Sequence, residues 1–198
     1  MSQTDTDKGA SRDGGRRRQR EEIPAERQAE ARRQVRVLGD PVLRETARPV
    51  TRFDDELAEL SRRMVRVMQD APGVGLAAPQ VGVVRRVIVY QVDDDPVTLV
   101  NPEIVWSSDE TEVVDEGCLS VPGVTVPVER PAAIRVRGQD LRGERHEYDA
   151  DDLEARVIQH ETDHLNGVLI LERTSRRERA RALRELREGA PEPAGAGL

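Results

Sequence analysis

The clearest structural signal lies in residues 152–167, which read DLEARVIQHETDHLNG. Four of these residues recur at helical spacing and form one stripe that we expect to face inward: Leu153, Val157, His160 and His164. Asp151 and Glu154 have the spacing of a capping box, and the Asn166-Gly167 pair supplies a stop. The segment is therefore predicted to form a helix of about four turns that begins near Asp152.

Two histidines of this helix are placed to bind one metal ion. His160 and His164 are four residues apart, so their rings share a face of the helix at a separation of about 6 Å. Glu161 points about 100° around the helix, where it is better placed to accept a proton from a metal-activated water than to bind the metal. A metal also explains how two imidazoles are buried, since each ring gives one nitrogen to the ion.

A catalytic metal site of this kind needs a third protein ligand, and the residues leave three candidates: Cys118, an acidic residue, or His146. Cys118 is the single cysteine, so packing, reactivity or metal binding must explain its presence. His146 is the weaker candidate because it lies between Arg145 and Glu147 on a strand that is predicted to be exposed.

The remaining pattern predicts a mixed fold. Residues 54–69 form an amphipathic helix, and an Arg-rich helix covers 173–188. Strands are predicted at 84–92, 97–105, 111–114, 134–137 and 145–149. Because the elements do not alternate as βαβ units, we expect the α+β class, with antiparallel β-sheets around a central metal-binding helix, an N-terminal helix and a C-terminal helix.

Composition limits the chain to one core. Of its 198 residues, 36% are apolar and 35% are charged, which favours a single domain. No apolar run approaches the roughly 20 residues that span a bilayer, and residues 1–34 lack an apolar signal segment, so we expect a cytoplasmic protein without a membrane partner.

Charge is divided unevenly along the chain. The net charge of -7 combines +3 in residues 1–36, -13 in 37–172 and +4 in 173–188, with Glu192. Residues 1–34 have little to bury and are predicted to be a disordered or loosely helical extension, and 190–198 a disordered tail.

A third motif lies in residues 73–80, which read GVGLAAPQ. Alone it is typical of a helix stop before packed small residues, and it lacks the Gly-Lys-Ser/Thr ending of a phosphate loop. Together with EGCLS at 116–120 and QHETDH at 159–164, however, it resembles the three motifs of the peptide deformylase family, in that family's order. The resemblance covers about 36–172, and Thr162 stands where the family usually has an apolar residue.

The resemblance implies an enzyme that removes the formyl group from the N-terminal methionine of nascent polypeptides and releases formate. It assigns the metal ligands to Cys118, His160 and His164, and the general base and acid to Glu161. The side-chain amide of Gln80 and the backbone N–H of Leu119 would stabilise the oxyanion. Substrate contacts would come from Val74, Gly75, Leu153 and Val157.

It also implies one divalent metal per chain, with Fe(II) as the native ion and Zn, Ni or Co as substitutes. The catalytic domain would be 35–172. The Arg-rich helix, within 173–189, resembles a C-terminal helix that docks some bacterial deformylases at the ribosome, although an ordinary solvated helix is the alternative. We expect no DNA partner.

Two other functions compete with this interpretation. A zincin-type metallopeptidase would also carry the two histidines and Glu161, but such enzymes commonly take a third ligand downstream, whereas His146 lies upstream. A ribosome-binding, non-catalytic homologue would use the basic ends, but the intact ligand, base and oxyanion positions argue against it.

Overall fold

The computed structural model describes residues 23–93 and 95–189. In this part of the chain the structure has four α-helices and seven β-strands. The helices are α1 (Ala25–Arg33), α2 (Asp55–Asp70), α3 (Asp152–Leu165) and α4 (Arg176–Glu188). The strands are β1 (Gly75–Ala77), β2 (Val87–Tyr90), β3 (Val97–Ser107), β4 (Thr111–Cys118), β5 (Val121–Pro131), β6 (Ala133–Gln139) and β7 (Arg145–Asp151).

The strands form two sheets, and every strand pair is antiparallel. One sheet has five strands in the order β1-β2-β3-β6-β7, and the other consists of β4 and β5. Helix α3 contacts strands of both sheets, including β1, β2, β5 and β6. The α+β class with antiparallel sheets around a central helix is therefore confirmed.

Helix α2 shows how closely local signals can define an element. The carboxylate of its N-cap, Asp54, accepts a hydrogen bond from the Leu57 N–H at 3.2 Å. The predicted apolar face is buried at Leu57, Leu60, Met64, Val67 and Met68. This face packs with residues of β1, β2 and β3 in one apolar cluster, and this packing supports β1.

Helix α3 is buried from Ala155 to Leu165. It ends as predicted, with Asn166 as C-cap and Gly167 at a φ of 73°. The predicted capping box is wrong, because Asp151 makes no side-chain cap bond and Glu154 instead accepts a hydrogen bond from the Tyr90 hydroxyl at 2.9 Å. The inward stripe is also wrong at Leu153, which is 39% exposed in the first turn.

The sequence pattern misses two strands. Strand β5 contains three prolines and a glycine, Pro122, Gly123, Pro127 and Pro131, which resemble a loop but are tolerated where a strand pairs on one side only. Strand β1 is three residues long, too short to show a period. Strand β4 continues past the predicted 114 to Cys118, and β2 is shorter than the predicted 84–92.

The ends of the described chain are helical. Helix α1 belongs to the predicted extension 1–34 and packs against α2, where Arg27 pairs with Asp70 at 2.6 Å. Residues 1–22 of that extension and the tail at 190–198 lie outside the described residues. Helix α4 begins later than predicted, because Ser175 caps it through the Glu178 N–H at 3.2 Å.

Candidate active site

Three metal-binding side chains meet where the C-terminal end of β4 faces α3. Cys118, His160 and His164 are buried, and each offers one ligand atom within 4.8 Å of the others. Sγ of Cys118 lies 3.3 Å from Nε2 of His164. The other candidate, His146, lies elsewhere, in an exposed group with Asp140 and Glu144. The structure thus brings together the thiol and the two imidazoles that the sequence singles out.

Glu116 fixes the orientation of one imidazole. Its Oε2 lies 3.0 Å from Nδ1 of His160, which leaves Nε2 as the nitrogen available to a metal. Arg130 donates to both carboxylate oxygens, at 2.6 and 2.9 Å, and Arg156 donates to Oε1 at 2.9 Å. Burial opposes ionisation, but the hydrogen bonds from His160 and Arg130 lower the pKa of Glu116 to about 2.

A second buried carboxylate, Asp163 of α3 itself, extends this set of ion pairs. Asp163 accepts hydrogen bonds from Arg130 Nη1 at 3.0 Å and Arg173 Nε at 2.9 Å, and it also accepts one from Arg173 Nη2. A continuous series of hydrogen bonds therefore joins five side chains: Arg173, Asp163, Arg130, Glu116 and His160. Sequence reasoning did not find these partners; the one available signal was the acidic residue two positions before Cys118.

His164 is suited to act as a neutral ligand. Its Nδ1 is buried and has no hydrogen-bond partner among the described residues. Burial, followed by the nearby charge of His160, keeps the pKa of His164 well below its usual range. A neutral imidazole is the form that binds a metal.

Glu161 is buried beside these groups. Its side chain is 2% exposed, and within the described chain its Oε2 has no hydrogen-bond partner. Burial raises the pKa of Glu161 to about 7, against the opposing charges of His160 and Arg130. Gly75 makes room for it, because a Cβ at position 75 would overlap Oε1 of Glu161 and lie 2.9 Å from Cγ1 of Val157.

Gln80 points its amide toward the metal-binding group. Its Oε1 accepts a hydrogen bond from the Ala77 N–H at 2.7 Å, which fixes the direction of Nε2. Nε2 donates to Ser120 Oγ at 3.1 Å and lies 3.9 Å from Cys118 Sγ. Leu119 lies in the turn between Cys118 and Ser120 and is partly buried.

Two of the four predicted substrate residues, Gly75 and Val157, lie beside Glu161. Gly75 belongs to β1, one of the two edge strands of the larger sheet, and Val74 comes immediately before it. Val157 is buried against position 75 and is 1% exposed, whereas Leu153 lies one turn earlier at the surface. Gly75 and Val157 therefore lie beside the buried carboxylate of Glu161, and Leu153 lies at the surface.

Comparison with known proteins agrees with this arrangement. The family model described as polypeptide deformylase matches residues 32–180. The chain is 52% identical over 141 residues to the peptide deformylase of Thermotoga maritima, covering 71% of this chain and 86% of the relative. It is 49% identical over 156 residues to the peptide deformylase of Acidothermus cellulolyticus, covering 79% and 86%.

Solved structures show the same likeness. The crystal structure of the Thermotoga maritima enzyme has a TM-score of 0.70 at 52% identity, covering 71% of this chain and 96% of that one. The peptide deformylase of Synechococcus elongatus in complex with actinonin has a TM-score of 0.75 at 42% identity, covering 83% and 90%.

A buried thiol and two imidazoles beside a carboxylate, on this α+β scaffold, define a metal-dependent hydrolase. The chain belongs to the peptide deformylase family, whose members remove the N-terminal formyl group from nascent peptides. The matches favour neither a zincin-type metallopeptidase nor a non-catalytic homologue. None of the described helices combines the length and apolar character needed to cross a bilayer.

Proposed function

We propose that this chain hydrolyses the formamide bond of N-formylmethionyl peptides at a metal held by Cys118, His160 and His164, with Glu161 moving the proton. The observation that carries the proposal is the buried carboxylate of Glu161, whose Oε2 has no partner among the described residues and which follows a metal-binding histidine directly. A buried polar atom without a partner is costly, so its retention here favours a chemical role.

The donor set suits a divalent transition metal, because a cysteine sulfur and two imidazoles, which bind an ion in their deprotonated forms, leave a position open for water. A bound ion supplies Lewis-acid chemistry: it makes water more acidic and attracts negative charge on the formyl oxygen. Glu161 accepts the proton of the attacking water at a carboxylate oxygen. It then donates that proton to the amine nitrogen as the C–N bond breaks, which releases formate and a free N-terminal methionine.

Formate release from a formyl-Met tripeptide tests this function. We expect the metal-loaded protein, kept under reducing conditions, to release one formate per peptide. It should leave an unblocked protein substrate uncut, whereas a zincin would cleave internal bonds. The proposal fails if the loaded protein releases no formate.

Gln80 and Leu119 are proposed to stabilise the charge that develops on the formyl oxygen. Support comes from the fixed direction of Gln80 Nε2 and from the position of Leu119 directly after Cys118. Gln80→Ala should lower kcat about 100- to 1,000-fold, because one preorganised donor is lost. The metal content should stay at one per chain by elemental analysis. An unchanged kcat with the metal in place would contradict this role.

The peptide is proposed to bind along the free edge of β1. On its other edge β1 pairs with β2, and the Val74 carbonyl accepts a hydrogen bond from the Gln91 N–H at 2.8 Å on that side. The backbone of Gly75 can therefore bind an extended peptide as an added strand, with the Val74 side chain beside it. The methionine side chain would then lie against Val157, with Leu153 at the mouth of its pocket. This placement is supported by the contact between position 75 and Val157.

We propose Fe(II) as the native metal, with Zn, Ni or Co as substitutes. One cysteine sulfur and two imidazoles can bind each of these ions, and affinity alone would favour Zn over Fe(II). The support for Fe(II) is therefore membership of the family and not affinity. The test compares formate release per bound metal after anaerobic loading of each ion. Iron should give the highest activity and lose it in air. Equal activity with zinc would contradict the assignment.

Ribosome contact is proposed for α4, within the segment 173–189. The helix packs against β5 through Ala182, Leu183 and Leu186 and leaves five arginines exposed: Arg176, Arg177, Arg179, Arg184 and Arg187. Such a surface suits a phosphate backbone.

Cosedimentation with ribosomes at several salt concentrations tests this contact. The double variant Arg177→Gln/Arg184→Gln should weaken it and lower its salt dependence. Arg62→Gln/Arg66→Gln on α2 is the matched control, because it removes the same charge from exposed positions elsewhere. Equal loss in both variants, or no cosedimentation at low salt, would contradict the proposal.

We propose residues 35–172 as the catalytic domain, supported by the family match over 32–180.

A cytoplasmic location is proposed because nascent peptides are made there. Cell fractionation tests the location, and recovery of the protein outside the cytoplasmic fraction would contradict it.

A further inference from the structure

A cleft that is lined by none of the three metal-binding residues lies beside α3. Its volume is about 370 Å³, which falls in the range of small-molecule sites. The wall formed by α3 consists of Gln159, Thr162, Asp163 and Asn166. None of the proposed catalytic or substrate residues lines this cleft.

A buried hydroxyl in this wall has no partner. Thr162 is 9% exposed, and within the described residues its Oγ1 makes no hydrogen bond. A hydroxyl that lines a cleft without a partner can donate to a bound acceptor.

Arg86 places a positive charge beside Asn166, one helical turn after Thr162. Arg86 lines the cleft and donates to two neutral acceptors, Oδ1 of Asn166 and the Pro102 carbonyl, each at 3.0 Å. It makes no ion pair with any carboxylate in the described part of the chain. Burial lowers the pKa of the Arg86 guanidinium, and the charge of Glu103 opposes that shift. Since Asn166 follows Thr162 by four residues, the guanidinium and the free hydroxyl share one face of α3.

The other charges of the cleft divide into two groups. Arg130 and Arg173, which line the cleft, each form an ion pair with Asp163. Glu103 and Glu129 are exposed carboxylates in the lining, and Glu129 Oε1 accepts a hydrogen bond from Thr111 at 2.7 Å. The cleft therefore offers donors at α3 and acceptors toward solvent. Pro102, Ile104 and Pro131 add apolar surface to the lining.

We propose that this cleft binds a zwitterionic small molecule of the amino-acid class. Its carboxylate would lie between Arg86 and the Thr162 hydroxyl, where a guanidinium can donate two parallel hydrogen bonds. Its ammonium would face Glu103 and Glu129, and an apolar side chain would contact Ile104. The two acidic side chains disfavour a phosphate dianion at the same place.

Methyl NMR titration of the zinc-loaded protein tests the proposal, with L-leucine, acetate and inorganic phosphate as separate probes. The methyl signals of Ile104 report on this cleft, and those of Val157 report on the active site. Leucine should shift the Ile104 signals in a saturable way, with acetate and phosphate each binding at least several-fold more weakly.

Arg86→Gln and Thr162→Val should each weaken leucine binding, Arg86→Gln by at least about tenfold because a charge-assisted pair is lost. Thr162→Val keeps the side-chain shape, so it remains informative even if the arginine variant does not fold. Arg85→Gln is the matched control, since the neighbouring arginine does not line the cleft. No saturable shift at Ile104, binding retained in both variants, or equal affinity for acetate or phosphate would overturn the proposal.

Discussion

Gly75 and Glu161 depend on each other. The buried carboxylate occupies the space that a side chain at position 75 would fill. The same contact joins the edge strand β1, where the peptide is proposed to bind, to the group that moves the proton. A glycine that looks like part of a turn in the sequence is therefore a requirement of the site.

Gly75→Ala should lower kcat at least about tenfold, because the new Cβ displaces the Glu161 carboxylate from its position. Steady-state formate release and metal analysis measure the effect. Gly138→Ala is the matched control, since its Cβ would overlap the Leu99 side chain, outside the active-site residues. Similar kcat losses in both variants would show that crowding alone is responsible.

Glu116 illustrates what a sequence does not reveal. The i, i+4 spacing of His160 and His164 is visible in the chain, but their support comes from arginines on β5 and α3 that only the fold brings to Glu116. Among many arginines, nothing local marks Arg130 or Arg156 as buried. The histidine pair could be predicted from its spacing and Cys118 from the family resemblance, whereas the supporting ion pairs could not be predicted.

Glu116→Gln should weaken metal binding about 10- to 100-fold, because the His160 ring loses its charged acceptor. It should also lower the free energy of unfolding, since Arg130 and Arg156 keep a buried charge with less compensation. Metal competition and denaturant unfolding measure the two effects. Asp115→Asn, an exposed neighbour on β4, should change neither. Unaltered metal affinity in Glu116→Gln would contradict the role of this carboxylate.

At the scale of elements, helices are predicted better than strands. Helices α2, α3 and α4 have apolar periodicity and end signals over three or more turns, which are local properties. Strands β1 and β5 lack such signals and are defined by their pairing with β2 and β4. The predicted capping box of α3 is wrong for a related reason. The Glu154 side chain instead accepts a hydrogen bond from Tyr90, which is distant in sequence.

Helix α4 should contribute to stability as well as to charge. Ala182 is fully buried against β5, whereas Ala180 on the same helix is exposed. Ala182→Asp should cost about 2 kcal/mol or more of unfolding free energy, because it places a charge in an apolar contact. Ala180→Asp is the control for charge and helix propensity. Equal thermal unfolding midpoints for the two variants would contradict this packing.

For the whole molecule, the net charge of -7 is a sum over segments that carry charges of opposite sign. The segment 37–172 carries -13 and includes the metal-binding group, while 173–188 carries +4. Of this, +3 lies on α4, which packs beside the catalytic domain, and Arg173 precedes the helix. Arg173 connects the regions, because it binds Asp163 directly after Thr162 on α3. Removing the whole C-terminal segment would therefore disturb the catalytic domain, and point substitutions on α4 are the cleaner way to examine its surface.

The most direct test of the proposed chemistry is formate release by Glu161→Gln compared with the wild type, each loaded with the same metal. The substitution keeps the shape and leaves Cys118, His160 and His164 in place, but it removes the group that accepts and returns the proton. We predict one metal per chain in both proteins and a loss of at least about 100-fold in kcat. Near-normal turnover by Glu161→Gln with its metal bound would contradict the proposed role of Glu161.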